Sequence, residues 1–173
     1  AGHDVTLRRM RRNYTTDDYR RGIHEIRETI PNVTIATDII VGFAGETDEH
    51  FRGTLDLLAE LELDVVHVAM SSPRPKTISS RWEDDVPQEE KHRRHQAVEE
   101  QQAAIAARKK AALLDSTQEV LVDGQQKGRW RGRTRGNQLV FFGAPGEERD
   151  WIGKLVDVRV TETYAWHVIG EVQ

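Results

Sequence analysis

In the stretch KGRWRGRTRGN, Lys127, Arg129, Arg131, Arg133 and Arg135 fall at every second residue, and no acidic residue lies between Gly124 and Asn137. A strand sends alternate side chains to one face, so a single strand here predicts five cations side by side. Trp130, Phe141, Phe142, Trp151 and Trp166 lie in the same part of the chain. Cations track a nucleic-acid backbone and aromatic rings stack its bases. A face built only for solubility mixes signs, so the pattern favours RNA or DNA contact over a plain solvated strand. Two further basic features could meet phosphate: Arg8, Arg9, Arg11 and Arg12 in RRMRR, and Arg74, which sits between Pro73 and Pro75. A lone charge run is also an ordinary solvated surface.

A second stretch, TDIIVGFAGETDEHF, reads as a strand, a glycine-bearing turn and a helix start. In parallel α/β proteins ligands gather beyond the carboxyl ends of strands. Gly42 and Gly45 permit close backbone approach, and Glu46 stands just before a helix whose first N–H groups can receive an anion. Either this turn holds a small ligand, or its glycines only make a tight strand-to-helix connection. GFAGET is neither a Walker loop nor a GxGxxG. Asp38 lies inside the apolar strand, where a buried carboxylate needs a partner or a water-lined cavity. It faces a barrel interior and a ligand, or it pairs with an arginine of RRMRR.

The elements that must position these residues follow from periodicity. Thr15 and Asp18 open a helix whose Tyr19, Ile23, Ile26 and Ile30 recur at helical spacing until Pro31. Ile39, Ile40 and Val41 predict a strand covered on both faces. A helix from Thr47 with Phe51, Leu55 and Leu58 on one side follows, then the strand DVVHVAM. This is an α/β rhythm. Residues 87–114 predict a mostly polar helix with a thin stripe of Val98, Ile105 and Ala112, suited to a surface or a connection. Five short strands then predict a small barrel of the OB type. The expected organisation is an α/β part over residues 1–82, a connecting helix over 83–114, and a β-barrel over 115–173.

Composition narrows the function classes. The chain of 173 residues has a net charge of −4, so any attraction to nucleic acid must be local. It contains no cysteine, which excludes disulfides and thiolate-bound metal within these residues. No apolar run reaches the ~18–20 residues that cross a bilayer, so no membrane is expected as a partner. No export leader is read at the start, and AGHDVTLRRM reads as a segment cut from a longer chain. His92 and His95 have no third ligand at a usable spacing, so no metal site is expected.

Taken together, the segments resemble the radical S-adenosylmethionine methylthiotransferases, in the tRNA-2-methylthio-N6-dimethylallyladenosine synthase branch. TDIIVGFAGETDEHFRGTLDLL resembles that family's strand-five motif, with Ala44 in place of the usual Pro. SSPRPKT resembles its YSPRPGT loop, with Ser71 for Tyr and Lys76 for Gly. VPQEEKHRRHQAVEEQQ resembles its connecting helix. GRTRGNQLVFF with IGKLVDVRVTE resembles its TRAM domain, a small RNA-binding barrel.

The resemblance implies the C-terminal part of such an enzyme: part of a radical-SAM barrel, a connecting helix and a five-stranded OB-like TRAM barrel. It implies S-adenosylmethionine as cofactor near Asp38, Gly42, Gly45 and Glu46. It implies tRNA, at the anticodon stem-loop, as partner to Arg74 and the cations of residues 127–135. Two 4Fe–4S clusters belong to the whole enzyme, with their cysteines in an N-terminal part outside this chain. The implied reaction adds a methylthio group to isopentenyl-modified adenosine, in the cytoplasm, and this chain alone is expected to be inert. Sister branches act on threonylcarbamoyl-adenosine or on a ribosomal protein. A competing class is a stand-alone RNA-binding module.

Overall fold

The computed structural model describes residues 1–143 and 151–173. They form two compact units, Ala1–Ile105 and Ala106–Gln173.

The first unit begins with α1 (Asp4–Arg9) and α2 (Thr16–Thr29). The expected capping box opens α2: the Thr15 amide donates to Asp18 Oδ2 at 2.9 Å, and the Asp18 amide donates to Thr15 Oγ1 at 3.1 Å. Two orphan amides are thereby satisfied by neighbours in sequence. Strand β1 (Ala36–Val41), helix α3 (Asp48–Leu61) and strand β2 (Val65–Met70) follow. The strands pair in parallel, with Asp38 opposite His67 and Ile39 opposite Val68. Ile39, Val41, Phe51, Leu57, Leu58 and Leu61 form the core with Ile23 of α2.

Only one face of this sheet is covered. Thr37, Ile39 and Val41 turn toward the helices, while Asp38 and His67 are exposed on the other side. The expectation of a strand buried on both faces is therefore corrected. The alternating pleat gives the helices every second residue; on the other face Ala36, Asp38, His67 and Ala69 are exposed and Ile40 is half-buried. Each strand also has a single partner, so each carries one outer edge without a strand among the described residues.

Helix α4 (Gln88–Ala111) starts in the first unit. Its inner face there is Lys91, Arg94, Val98, Gln102 and Ile105, all buried. These positions are three and four apart, a true helical stripe, but three of the five are polar. The thin apolar stripe expected from sequence captured only Val98 and Ile105 of this face. Gln102 Nε2 donates to the carbonyls of Leu63 and Asp64 at 3.1 and 3.2 Å, and Gln101 Nε2 donates to that of Leu55 at 2.8 Å. No helix among the described residues is long and apolar enough to cross a membrane.

The second unit is the expected five-stranded barrel: β3 (Thr117–Gln126), β4 (Arg129–Thr134), β5 (Leu139–Phe142), β6 (Leu155–Thr163) and β7 (Val168–Val172). It closes in the order β3-β4-β5-β7-β6, with β3 returning to β6. Alternate residues fill the interior: Val120, Val122, Trp130, Val140, Phe142, Val156, Val158, Val160 and Val168. Gly132 and Gly170 occupy inward positions where a neighbouring strand crowds the backbone. A Cβ on Gly170 would overlap the Arg159 carbonyl oxygen and stand 2.5 Å from Val158 Cγ1. Gly170→Ala is expected to cost about 1–3 kcal/mol through overpacking. Urea unfolding followed by the fluorescence of buried Trp130 measures it.

Candidate functional site

Strand β1 runs into the turn Gly42–Glu46, and this turn is gripped from α4. The Gly42 amide donates to Glu46 Oε2 at 2.6 Å. Arg94 Nη1 donates to the same oxygen at 2.9 Å and to the Glu46 carbonyl at 2.8 Å. Both side chains are buried, at 4% exposure for Arg94 and 1% for Glu46. Arg94 also bonds Glu90 Oε1 at 2.7 Å and Asp48 Oδ1 at 2.9 Å. Burial disfavours the guanidinium, yet the hydrogen bonds it donates to Glu90 and Glu46 outweigh it and raise its pKa. Glu46 Oε1 is buried, with no hydrogen-bond partner among the described residues.

The glycines are packed just as closely. Gly42 has φ 68° and Gly45 φ 80°, conformations that L side chains rarely adopt. A Cβ on Gly42 would collide with the Lys91 stem, and one on Gly45 would sit 2.8 Å from the Arg9 guanidinium carbon. The Gly45 amide donates to Asp85 Oδ1 at 2.7 Å, and Arg9 Nε donates to the Ala44 carbonyl at 2.9 Å. Lys91 Nζ donates to Asp84 at 2.6 Å and to the Ser71 carbonyl at 3.2 Å. The loop after β2 is thereby tied to the turn after β1. The turn's amides at Gly42 and Gly45 are occupied by protein carboxylates, so these glycines serve close packing.

Beside the turn lies a cleft of about 290 Å³. Its lining includes Arg9, Arg11, Arg12, Ile40, Phe43 and Trp82. Phe43 meets Trp82 edge to face at 6.0 Å, and the Arg9 guanidinium lies 4.8 Å from the Trp82 ring centre. The cleft thus has aromatic and apolar walls with three cations at the carboxyl end of β1. Such walls suit a flat heterocycle, and the arginines suit a carboxylate or phosphate. The RRMRR cluster was legible as a phosphate contact; Phe43 and Trp82 were not singled out, because they lie far apart in sequence.

Asp38 is corrected on one point. It is exposed, and among the described residues no ion pair joins it to the arginines of RRMRR. The pleat that buries Ile39 turns Asp38 to the open face, where water solvates it. Arg74 is exposed in the loop after β2, with its carbonyl accepting from the Thr77 hydroxyl at 2.8 Å.

On the barrel, Arg129, Arg131 and Arg133 do share the outer face of β4. Lys127 and Arg135 do not belong to that strand. Lys127 and Gly128 form the β3–β4 turn, with φ 51° and 76°, and Arg135 follows the end of β4. The stripe is also not of one sign. Arg131 Nε bonds Asp123 Oδ1 at 2.7 Å, Arg133 comes within 4.0 Å of Asp123 Oδ2, and Arg135 bonds Glu119 at 2.8 Å. The acids come from neighbouring β3, which antiparallel pairing brings alongside. Lys127 and Arg129 make no ion pair among the described residues. Of the aromatics, Trp130 and Phe142 point into the core, while Phe141 is half-buried and Trp166 is 58% exposed.

The clamp generates two expectations. Arg94→Ala leaves the Glu46 carboxylate buried without its cation, which should cost about 3–5 kcal/mol in urea unfolding. Adding Glu46→Gln should return part of this, since the amide oxygen still accepts from Gly42. The second expectation concerns pH. Arg93, then Arg94, hold the Glu90 carboxyl down from 4.5 to about 2 against the opposing effect of burial. A depressed carboxyl stabilises the fold above its unfolded pKa and loses that contribution as protons bind. Stability should therefore fall between about pH 4.5 and 2, and Glu90→Gln should flatten that fall in chemical denaturation across the same range.

Residues 1–58 match the Radical SAM superfamily, and residues 113–172 match the TRAM domain. Over 98% of its length the chain is 47% identical to the tRNA-2-methylthio-N(6)-dimethylallyladenosine synthase of Roseiflexus sp. (strain RS-1), covering 36% of that protein. It is 46% identical over 98% of its length to the enzyme of that name from Chloroflexus aurantiacus, covering 37% of it. It is 39% identical over 99% of its length to that from Acetivibrio thermocellus, covering 36%. The chain thus spans well under half the length of these curated relatives. One chain thus combines a segment similar to the radical SAM superfamily with a TRAM-like domain, and along nearly all of its length it is similar to part of the tRNA-2-methylthio-N(6)-dimethylallyladenosine synthases.

Proposed function

We propose that this chain is the C-terminal part of a tRNA methylthiolating enzyme, supplying one wall of the S-adenosylmethionine cleft and the surface that holds tRNA. The pairing of a radical SAM segment with a TRAM domain carries this reading. In it, residues 1–82 belong to the barrel, 83–114 connect, and 115–173 bind RNA. The base modified is the dimethylallyl-adenosine named in the relatives, and the enzyme works in the cytoplasm, where tRNA is.

The cleft at the end of β1 fits the cofactor's chemistry. Ile40, Phe43 and Trp82 suit the adenine, and the cations of RRMRR suit the carboxylate. Asp38 faces the ligand from the open side of the sheet. Gly42, Gly45 and Glu46 act from behind, fixing the turn that shapes the wall. When bound, S-adenosylmethionine supplies the radical and the methyl group. The residues present do not fit an iron–sulfur cluster, because the chain has no thiolate. The two 4Fe–4S clusters therefore belong to the N-terminal part of the enzyme, which also supplies the strands that pair with the free edges of β1 and β2. Arg74 and the cations of residues 127–135 meet tRNA phosphates around the anticodon stem-loop.

A titration of the 173-residue chain with an anticodon stem-loop RNA at several salt concentrations tests this reading. Affinity should fall steeply with salt as counterions are released. Lys127→Ala with Arg129→Ala should lower the salt slope by up to about two, roughly one per phosphate contact. Asp123→Asn should steepen it, because Arg131 and Arg133 lose their internal acid. Absence of salt-dependent RNA binding would overturn the reading. Incubation with iron and sulfide should give no stoichiometric cluster, and a cluster absorbance would overturn the division of labour between the two parts.

A further inference from the structure

Beyond phosphate contact, the barrel carries a feature that salt-dependent binding does not require. His167 and Tyr164, in the turn between β6 and β7, stack with ring centres 4.6 Å apart and planes 13° apart. Phe141 of β5 meets His167 edge-on, with ring centres 5.3 Å apart and planes at 83°. The Tyr164 hydroxyl donates to Glu162 Oε2 at 2.6 Å, which fixes the ring's orientation. Tyr164 is nevertheless 45% exposed, and Trp166 in the same turn is 58% exposed. Exposed rings held this firmly serve little purpose in packing: the barrel core is already filled by the inward side chains.

This aromatic shelf adjoins the basic face. Phe141 lies directly opposite Arg131 in the β4–β5 register. Arg129 stands two residues before Arg131 on the same outer face of β4. Rings alone would suit many partners. Rings beside cations suit an unpaired nucleotide, whose base stacks and whose phosphate is neutralised. A duplex keeps its bases stacked on one another and offers them only at its ends.

We propose that Tyr164, backed by His167, is a stacking site for one unpaired base of the RNA, with Arg129 meeting the adjoining phosphate. This rests on the RNA-binding reading above. His167 covers one face of the phenol ring, so a base on the other face continues a stack already two rings long. Glu162 keeps the ring from turning, and Phe141 holds His167 in place. The site is indifferent to base identity, because every base offers a flat face.

The test uses the 173-residue chain and a single-stranded oligoribonucleotide with 2-aminopurine at one position, whose fluorescence is quenched on stacking. Wild type should quench the probe. Tyr164→Ala should bind about ten-fold more weakly, without quenching and with an unchanged salt slope. Tyr164→Phe keeps the ring but loses its bond to Glu162, so it should still quench the probe, with an affinity between those of wild type and Tyr164→Ala, and a fully paired duplex should be insensitive to both changes. Salt-dependent binding with equal affinity and quenching in Tyr164→Ala would overturn the stacking site and leave RNA binding standing. A wild-type chain that binds no RNA would overturn both. Wild-type dimers in sedimentation that Tyr164→Ala dissolves would give this shelf to a protein contact and overturn the proposal.

Discussion

The buried pair of Arg94 and Glu46 is the constraint on which the first unit turns. Glu46 accepts from its own turn at Gly42 and from Arg94 on α4, and Arg94 in turn satisfies Glu90 and Asp48. Two charges out of water are costly unless their geometry and remaining hydrogen bonds are good. Here one guanidinium engages three carboxylates and a carbonyl, so most of its donors are used. A hydrophobic pair in the same place could supply packing, but it could not fix the Gly42 amide. The ion pair thus sets the conformation of the turn as well as its attachment. The proposed cofactor wall inherits its shape from a helix that does not itself line the cleft.

How much of this was legible in the sequence depends on how far apart the interacting residues lie. The Thr15–Asp18 capping box is local and was read correctly, as were the glycine-bearing turn and the five short strands. Helix α4 shows the opposite case. Its buried face carries Lys91, Arg94 and Gln102, whose partners lie in distant segments, so the sequence presents a polar helix where the structure has an anchored one. Asp38 was read as a buried carboxylate because its neighbours are apolar. The face it takes depends on which side the helices cover, which a period-two pattern does not specify when three apolar residues are consecutive. Phe43 and Trp82 went unnoticed for the same reason of distance.

The basic stripe shows what strand pairing adds to a pattern. Alternation correctly placed Arg129, Arg131 and Arg133 on one face. It could not show that Asp123 and Glu119 arrive beside them from β3. Two of the five positive charges are therefore compensated within the barrel, and the field is concentrated toward Lys127 and Arg129. Compensation has a use: arginines held by carboxylates are oriented before a ligand arrives, and fewer rotamers are lost on binding. Uncompensated cations at one end give attraction, and oriented ones give shape.

The order in which the barrel closes has a consequence for its biogenesis. Strand β7, last of the five in chain order, lies between β5 and β6, and β3 reaches its second neighbour only at β6. A growing chain that has emerged as far as β6 can form the β3–β4–β5 meander, but the ring stays open until β7 is released. Contacts of such long sequence separation form slowly. The ring therefore cannot close without β7, and any sheet of β3 to β6 alone leaves the valine-lined interior open along the edge of β5.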